Sequence, residues 1–346
     1  MPQNDYNSSW PDNLIMKVND LEVNFRQAGK IIKAVRGISF RVKKNLSLGI
    51  VGESGSGKTV TVRSLMNLLP GRGGKVEKGE VLFKLSDGEI VDILKLDPKG
   101  KKIQNIRGNE ISMVFQQPMS SLNPVYDIGM QIGEVFKFHS KKKKAEINRE
   151  IIELLNSVNL PKPEERVHDY PFQLSGGMNQ RAMIAMALGA NPQLLICDEP
   201  TTALDVTVQD KILFLLERIK EKHESSILYI SHDLAVVSEL VDEIIVMYLG
   251  EIMEYGNVEV IFDNPLHPYT ELLLKSIPEL GRKQDKLEII EGEIPSEDEV
   301  IPGCVFESRC PKAMQICKQP PPSIEKENGH KVTCWLYSQE VGNNGK

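Results

Sequence analysis

Short, unbroken apolar runs recur through the first 260 residues, each followed by a turn and then by a stretch of different periodicity. Residues 46–51 form the first such run and lead into a glycine-rich turn, after which 60–69 has helical spacing. The runs at 111–115, 194–197, 227–230 and 244–248 repeat the pattern. Apolar runs of this length with no polar alternation predict strands covered on both faces, as in a parallel sheet. A further strand is predicted at 21–25. Between 125 and 190 the pattern turns helical and carries a charged segment at 141–149. The expected architecture is an α/β core with a helical insertion, without internal repeats or low-complexity segments.

After residue 260 the texture changes. Of the 20 prolines nine lie beyond that point, and so do four of the 5 cysteines. Short helices, turns and loops are expected there, with a boundary between 256 and 264. The 346 residues are 40% apolar and 26% charged, an ordinary globular balance with length for two or three domains. Against 48 Asp+Glu there are 42 Lys+Arg, a net charge of -6 that disfavours a basic nucleic-acid binder. The best candidate for a membrane span, 234–249, is broken by Glu239, Asp242 and Glu243. Asp5 and Asp12 stand near the start, where a secretory leader would be basic and then apolar. The expectation is a cytosolic chain docked to something in the membrane.

The turn Gly52-Glu53-Ser54-Gly55-Ser56-Gly57-Lys58-Thr59 fits G-x-x-x-x-G-K-[ST] between an apolar strand and a helix that begins near Lys58 and Val60. Glycines let successive backbone N–H groups converge on phosphate oxygens, and the helix start adds its positive dipole end. In this pattern Lys58 reaches the β- and γ-phosphates and the Thr59 hydroxyl ligates Mg²⁺. Alone, the motif specifies a nucleoside triphosphate and no particular class.

Further motifs follow in a fixed order. Phe115-Gln116-Gln117-Pro118 ends a strand, Leu174-Ser175-Gly176-Gly177-Met178-Asn179-Gln180-Arg181 precedes a helical run, and Asp198-Glu199-Pro200 ends another strand. Ala203-Leu204-Asp205 and Ser231-His232-Asp233 complete the series. With these motifs the chain resembles the ATP-binding subunit of an ABC transporter over roughly residues 15–260, and Ser175-Gly176-Gly177 is the discriminating element. The resemblance implies a P-loop NTPase cassette with a RecA-like core, an antiparallel β subdomain and a helical subdomain at about 120–190, followed by a small Cys-rich extension over 261–346. It implies that Asp198 holds Mg²⁺ through its water shell, that Glu199 orients or deprotonates the attacking water, and that His232 links the γ-phosphate to Glu199. Gln116 is expected to touch Mg²⁺ and that water, and Phe25 to stack on adenine. Ser175, Gly176 and Gly177 are expected to bind the γ-phosphate of ATP held by an opposing subunit, with Asp205 on the loop along that seam.

Three segments narrow the family. Residues 115–124, 198–209 and 264–270 look like those of dipeptide/oligopeptide importer ATPases, with nickel importer ATPases as the alternative on substrate. Asn179 departs from the Arg usual there, and tuning rather than loss is expected; Lys44-Asn45-Leu46 replaces the usual Gly-Glu. The implied partners are a second, paralogous ATPase subunit, two membrane-spanning permease subunits that dock near 116–124, and, indirectly, an extracytoplasmic peptide-binding protein. No nucleic acid is expected, and the implied location is peripheral, on the cytoplasmic face of the cell membrane. A soluble cassette protein of DNA repair or translation fits less well, because there is one P-loop and no long coiled-coil insertion. A redox protein with a vestigial nucleotide site fits poorly with Lys58, Asp198, Glu199 and His232 all present.

Cys304-x5-Cys310-x6-Cys317-x16-Cys334 sets four thiols in a Pro-rich region. Stable disulfides are not expected in a cytosolic chain. Tetrahedral Zn²⁺ and a [4Fe–4S] cluster both accept four cysteines, and the spacing matches neither zinc ribbons nor ferredoxins. Isolated buried thiols are the remaining reading. The stretch 303–311 resembles the C-terminal extension of peptide-importer ATPases, some of which carry a [4Fe–4S] cluster there. Cys197, inside an apolar strand, reads as core, and the Lys run 141–144 as a solvated helix face.

Overall fold

A computed structural model of the protein describes residues 10–27, 29–69, 73–140, 142–202, 205–277, 290–296 and 299–338. The chain opens with β1 (Leu14–Gln27), β2 (Lys30–Lys43), β3 (Ser47–Val51), α1 (Lys58–Leu65), β4 (Gly74–Lys84), β5 (Ile90–Asp92) and α2 (Lys101–Ile106). A largely helical stretch follows: β6 (Ile111–Val114), α3 (Pro118–Ser121), α4 (Ile128–His139), α5 (Lys144–Ser157), α6 (Pro163–Arg166) and α7 (Gly176–Leu188). Then come β7 (Leu194–Asp198), α8 (Val206–His223), β8 (Ser226–Ser231), α9 (Leu234–Ser238), β9 (Glu243–Tyr248) and β10 (Glu251–Asn257). The last elements are α10 (Val258–Asp263), α11 (Pro268–Lys275), β11 (Ser323–Glu325) and β12 (Lys331–Thr333). Described residues within 1–17, 41–47 and 82–230 form one compact unit, and those within 18–40, 48–81 and 231–346 form the other.

In the first unit β6, β7 and β8 are parallel, with Met113 opposite Ile196 and Ile196 opposite Leu228. Every residue of β7 and β8 is buried, which is why their sequences are continuous apolar runs. The helices pack by the same logic. On α5, Ile147, Ile151 and Leu155 recur every four residues and are buried, and α5 and α4 both lie against α7. Each such side chain contributes roughly 1.5–3 kcal/mol by leaving water.

In the second unit β3 runs parallel to β9, with Ile50 opposite Ile245. β9 turns into β10 through Leu249 (φ 43°) and Gly250 (φ 82°), a two-residue turn whose positive φ values match the strand twist. β12 then pairs with β10, Val332 opposite Glu254, and β11 lies outside β12. Glu254 is fully buried. Its Oε1 bonds His330 Nε2 at 2.7 Å and accepts the Leu266 N–H at 2.7 Å, while Oε2 accepts the His267 N–H at 2.9 Å. A buried carboxylate is tolerable only with such partners, so this knot fixes the path of the late segments.

Three expectations change. The first helix ends at Leu65 rather than near 69, because Asn67 takes a left-handed conformation (φ 51°) that breaks it. Of the long strands β1, β2 and β4 the sequence pattern predicts only 21–25, since Lys, Arg and Glu interrupt the apolar positions elsewhere. The tail contains β11 and β12 besides turns, strands too short to leave a periodic signal.

His267 caps α11 by accepting the Tyr269 N–H on Nδ1 at 3.1 Å, and burial pushes its pKa down to about 3. The unfolded chain protonates this ring below about pH 6.5, so folding stability falls as pH drops from there toward 3, by at most ~1.4 kcal/mol per pH unit. His267→Asn keeps a cap acceptor and removes the titration. Denaturant unfolding between pH 7 and pH 4 should lose less stability in the variant than in the wild type; equal losses would exclude His267 as the linked group.

Candidate nucleotide site

β3 delivers the chain into the loop 52–59, where Gly52, Gly55 and Gly57 have φ of 152°, 79° and 92°. A Cβ on Gly52 would lie 2.1 Å from the Met247 carbonyl oxygen, and one on Gly57 would lie 2.3 Å from that of Ala34. Glycine is therefore demanded by space as well as by φ. Lys58, 5% exposed, donates from Nζ to the carbonyls of Gly52 (2.7 Å) and Glu53 (2.9 Å) and to Ser56 Oγ (3.3 Å). The Gly250 N–H, at the tip of the β9–β10 hairpin, donates to the Ser56 carbonyl at 3.0 Å. Ser54 and Gly55 are exposed, and Thr59 and Val60 are half-buried at the start of α1.

Glu53 is held from two sides by residues that sequence reasoning missed. Its N–H donates to the Tyr269 hydroxyl at 2.9 Å, and its carboxylate takes the Arg309 guanidinium at 2.7 and 3.2 Å. Burial disfavours the Arg309 cation, but its bonds to Glu53 and Tyr248 outweigh that and its pKa moves up. No local signal could have paired Arg309 with Glu53. Phe25, on β1, is half-buried with its ring against Gly74, where a Cβ would approach within 2.7 Å. His232 is exposed in the turn after β8, where the Asp233 N–H donates to Ser231 Oγ at 3.0 Å and the Asp233 carboxylate caps α9.

The first unit carries the other motifs. Asp198 ends β7 and is 1% exposed. Glu199 follows in a left-handed conformation (φ 48°), with its N–H donating to the Ile230 carbonyl at 3.0 Å. Such a conformation in a non-glycine residue costs of order 1 kcal/mol and persists where surroundings impose it. Glu199 Oε2 accepts both Gln116 Nε2 (2.9 Å) and the Thr202 hydroxyl (3.0 Å), so the structure brings Gln116 and Glu199 together and adds Thr202.

Ser175 is exposed and caps α7, its Oγ accepting the Met178 N–H at 3.3 Å. Gly176 is exposed, and a Cβ on Gly177 would lie 2.8 Å from Val208 Cγ1, so α7 and α8 meet closely there. Asp205, also exposed, caps α8 by accepting the Val208 N–H at 3.0 Å; Ala203 and Leu204 lie outside the described residues. An open cavity of about 660 Å³ adjoins Ser175 and Gly177 and is lined also by Arg181, Lys211 and Phe214. Asn179 is fully buried and donates from Nδ2 to the Pro171 carbonyl at 2.9 Å, bracing the turn ahead of Ser175. The loop 123–126 is braced by Gln131, whose amide bonds the backbone of Asn123 and Tyr126.

The thiols of Cys304, Cys310, Cys317 and Cys334 are unbonded to one another, and Cys304 senses the other three electrostatically. Burial pushes Cys304 up to about 12 and Cys334 up to about 11, and raises Cys310. The backbone N–H groups of Phe306, Leu336 and Lys312, each two residues on, work against that rise. Cys317 accepts the Met314 N–H at 3.4 Å. Among the described residues no three His, Cys, Asp or Glu side chains are arranged to hold a metal ion, so the expected four-cysteine metal site is not preformed. The physical reason is geometric: four cysteines close in sequence need not turn their sulfurs toward one centre. Cys197 is fully buried in β7, its thiol raised by burial and by Asp198. Of the Lys run, Lys141 lies outside the described residues, and Lys142 pairs with Glu150 at 2.6 Å beside the start of α5. No helix among the described residues is long and apolar enough to cross a membrane.

Residues 35–202 match the ABC transporter family, and 253–317 match the C-terminal region of oligopeptide/dipeptide transporters. The oligopeptide transport ATP-binding protein AppD of Bacillus subtilis is 46% identical over 94% of this chain and 98% of its own length. The dipeptide transport ATP-binding protein DppD of Haemophilus influenzae is 43% identical over 95% of this chain and 97% of its own. A dimeric ATP-binding cassette solved in a post-hydrolysis state with ADP and phosphate superimposes with a TM-score of 0.62 at 27% identity, covering 70% of this chain and 99% of that one. With a phosphate loop, a carboxylate-ended strand and a capped Ser-Gly-Gly helix in one chain, and relatives similar along nearly its whole length, the protein belongs to the ATP-binding subunits of ABC transporters, in the oligopeptide/dipeptide branch.

Proposed function

We propose that this chain hydrolyses ATP to energise import of dipeptides or oligopeptides. The observation that carries the reading is the Glu199 carboxylate at the end of β7, oriented by Gln116 and Thr202. A carboxylate fixed by two donors is suited to align a water and accept its proton. Lys58 and the loop 52–59 bind the triphosphate, Phe25 meets the base, and His232 contacts the terminal phosphate. Thr59, Gln116 and Asp198 offer hydroxyl, amide and carboxylate oxygens, a hard donor set that fits Mg²⁺. The ion, when bound, neutralises charge on the transferring phosphoryl group. Ser175, Gly176, Gly177 and Asp205 serve the nucleotide of a second, paralogous ATPase subunit. Two permease subunits at the cytoplasmic face of the membrane receive the closing motion, and an extracytoplasmic binding protein supplies the peptide. The ATPase domain spans 1–260 and the extension 261–346.

The proposed ligands of an iron–sulfur cluster are Cys304, Cys310, Cys317 and Cys334, four thiols in one short segment, with Zn²⁺ as the alternative. Loading would draw together sulfurs that the metal-free chain does not hold in ligand geometry. Bound there, a cluster supplies folding energy to a segment with a small core.

Two measurements test these readings. Lys58→Ala should weaken ATP binding by ~100-fold, while Glu199→Gln should still bind ATP and lose ~100-fold in turnover in the assembled transporter. Unchanged turnover in Glu199→Gln would remove that carboxylate from the chemistry. Anaerobically purified protein should be brown, with iron, sulfide and absorption near ~400 nm that Cys310→Ser diminishes. A colourless, iron-free sample would refute the cluster.

A further inference from the structure

Arg309 stands 256 positions after Glu53, yet its guanidinium is built into the base of the phosphate loop. All five of its N–H donors are engaged. Nε donates to the Glu291 carbonyl at 3.1 Å. Nη1 donates to Glu53 Oε2 at 2.7 Å and to the Tyr248 hydroxyl at 3.2 Å. Nη2 donates to Glu53 Oε1 and to the Ile290 carbonyl, each at 3.2 Å. The side chain is only 4% exposed, and its Cζ lies 5.8 Å from the centre of the Tyr248 ring. The two-pronged grip on one carboxylate is specific to arginine.

The surroundings make the anchor stiff. Tyr248, Tyr269 and Phe306 pack in a triangle with ring centres 4.9, 5.1 and 5.2 Å apart, and Tyr269 holds the Glu53 N–H. Glu53 is thus fixed at its backbone and its side chain by residues late in the chain, while its own carbonyl accepts Lys58 Nζ. A carboxylate in a loop meant to attract phosphate works against that purpose, because like charges repel at short range. Arg309 cancels that charge and fixes where the carboxylate sits.

We propose that Arg309 is a positioning residue for phosphate binding: it neutralises Glu53 and locks it beneath the loop, so that Lys58 and the loop N–H groups act on the nucleotide without opposition. The inference rests on the nucleotide reading of the loop given above.

The test is equilibrium binding of radiolabelled MgATP to the full-length chain, with thermal unfolding recorded for each variant. Arg309→Met should weaken binding about tenfold, and Glu53→Gln, which loses the Arg309 clamp but leaves no unpaired acid in the loop, should weaken it by less. The double variant should recover most of the loss, since the uncompensated carboxylate is gone. Arg309→Lys, which keeps the charge and loses the fork, should fall between and serves if Arg309→Met does not fold. Wild-type affinity in both Arg309 variants, or a double variant as weak as Arg309→Met, would overturn the proposal and leave Arg309 a packing residue. Absence of nucleotide binding in the wild type itself would instead defeat the reading of the loop, and this inference with it.

Discussion

A loop that presents its backbone N–H groups to an anion cannot also carry side chains at its tightest points. In this protein the constraint is met where Gly52 presses on the Met247 carbonyl and Gly57 on that of Ala34. With those approaches closed to any larger residue, the loop is gripped by β9, by the hairpin tip at Gly250 and by the strand that carries Ala34. The rest of the second unit serves that grip. β3 feeds the loop, β9 flanks β3, and β10 bonds β9 and β12. Lys58, drawn onto the loop carbonyls, can then act from a stiff frame.

The first unit solves a different problem, that of holding two adjacent carboxylates at the end of one buried strand. Asp198 is buried at the last position of β7, while Glu199 turns out through a left-handed backbone and reaches Gln116 and Thr202. The strained turn separates two groups that would otherwise repel. The Ser175 and Asp205 side chains each cap a helix, so their positions are set by local hydrogen bonds.

Much of this was legible in the sequence, for identifiable reasons. β7 and β8 are buried on both faces, so their apolar runs stand out, and the phosphate loop has a fixed spacing of glycines. β2 and β4 leave no clear signal because half-exposed strands interleave charged residues, Lys and Arg in β2 and Lys and Glu in β4, with their apolar positions. Four cysteines in one segment, and its resemblance to extensions that carry a cluster, point to metal, but neither reveals whether sulfurs converge in ligand geometry. Asn179 read as a departure from the usual residue; its buried amide shows a bracing role. Arg309 and Glu53 sit at opposite ends of the chain, and only tertiary structure joins them.

The pairing of β12 with β10 has a consequence for biosynthesis. A ribosome adds roughly 5–20 residues per second and releases the amino end first. The phosphate loop therefore emerges well before the strand at Lys331–Thr333, with His330 for the buried Glu254. Until that strand is made, a nascent chain has an open sheet edge beside β10 and a buried acid without its imidazole. Chain termination ahead of that strand thus strikes the unit that holds the phosphate loop, although every residue of the loop itself has been made.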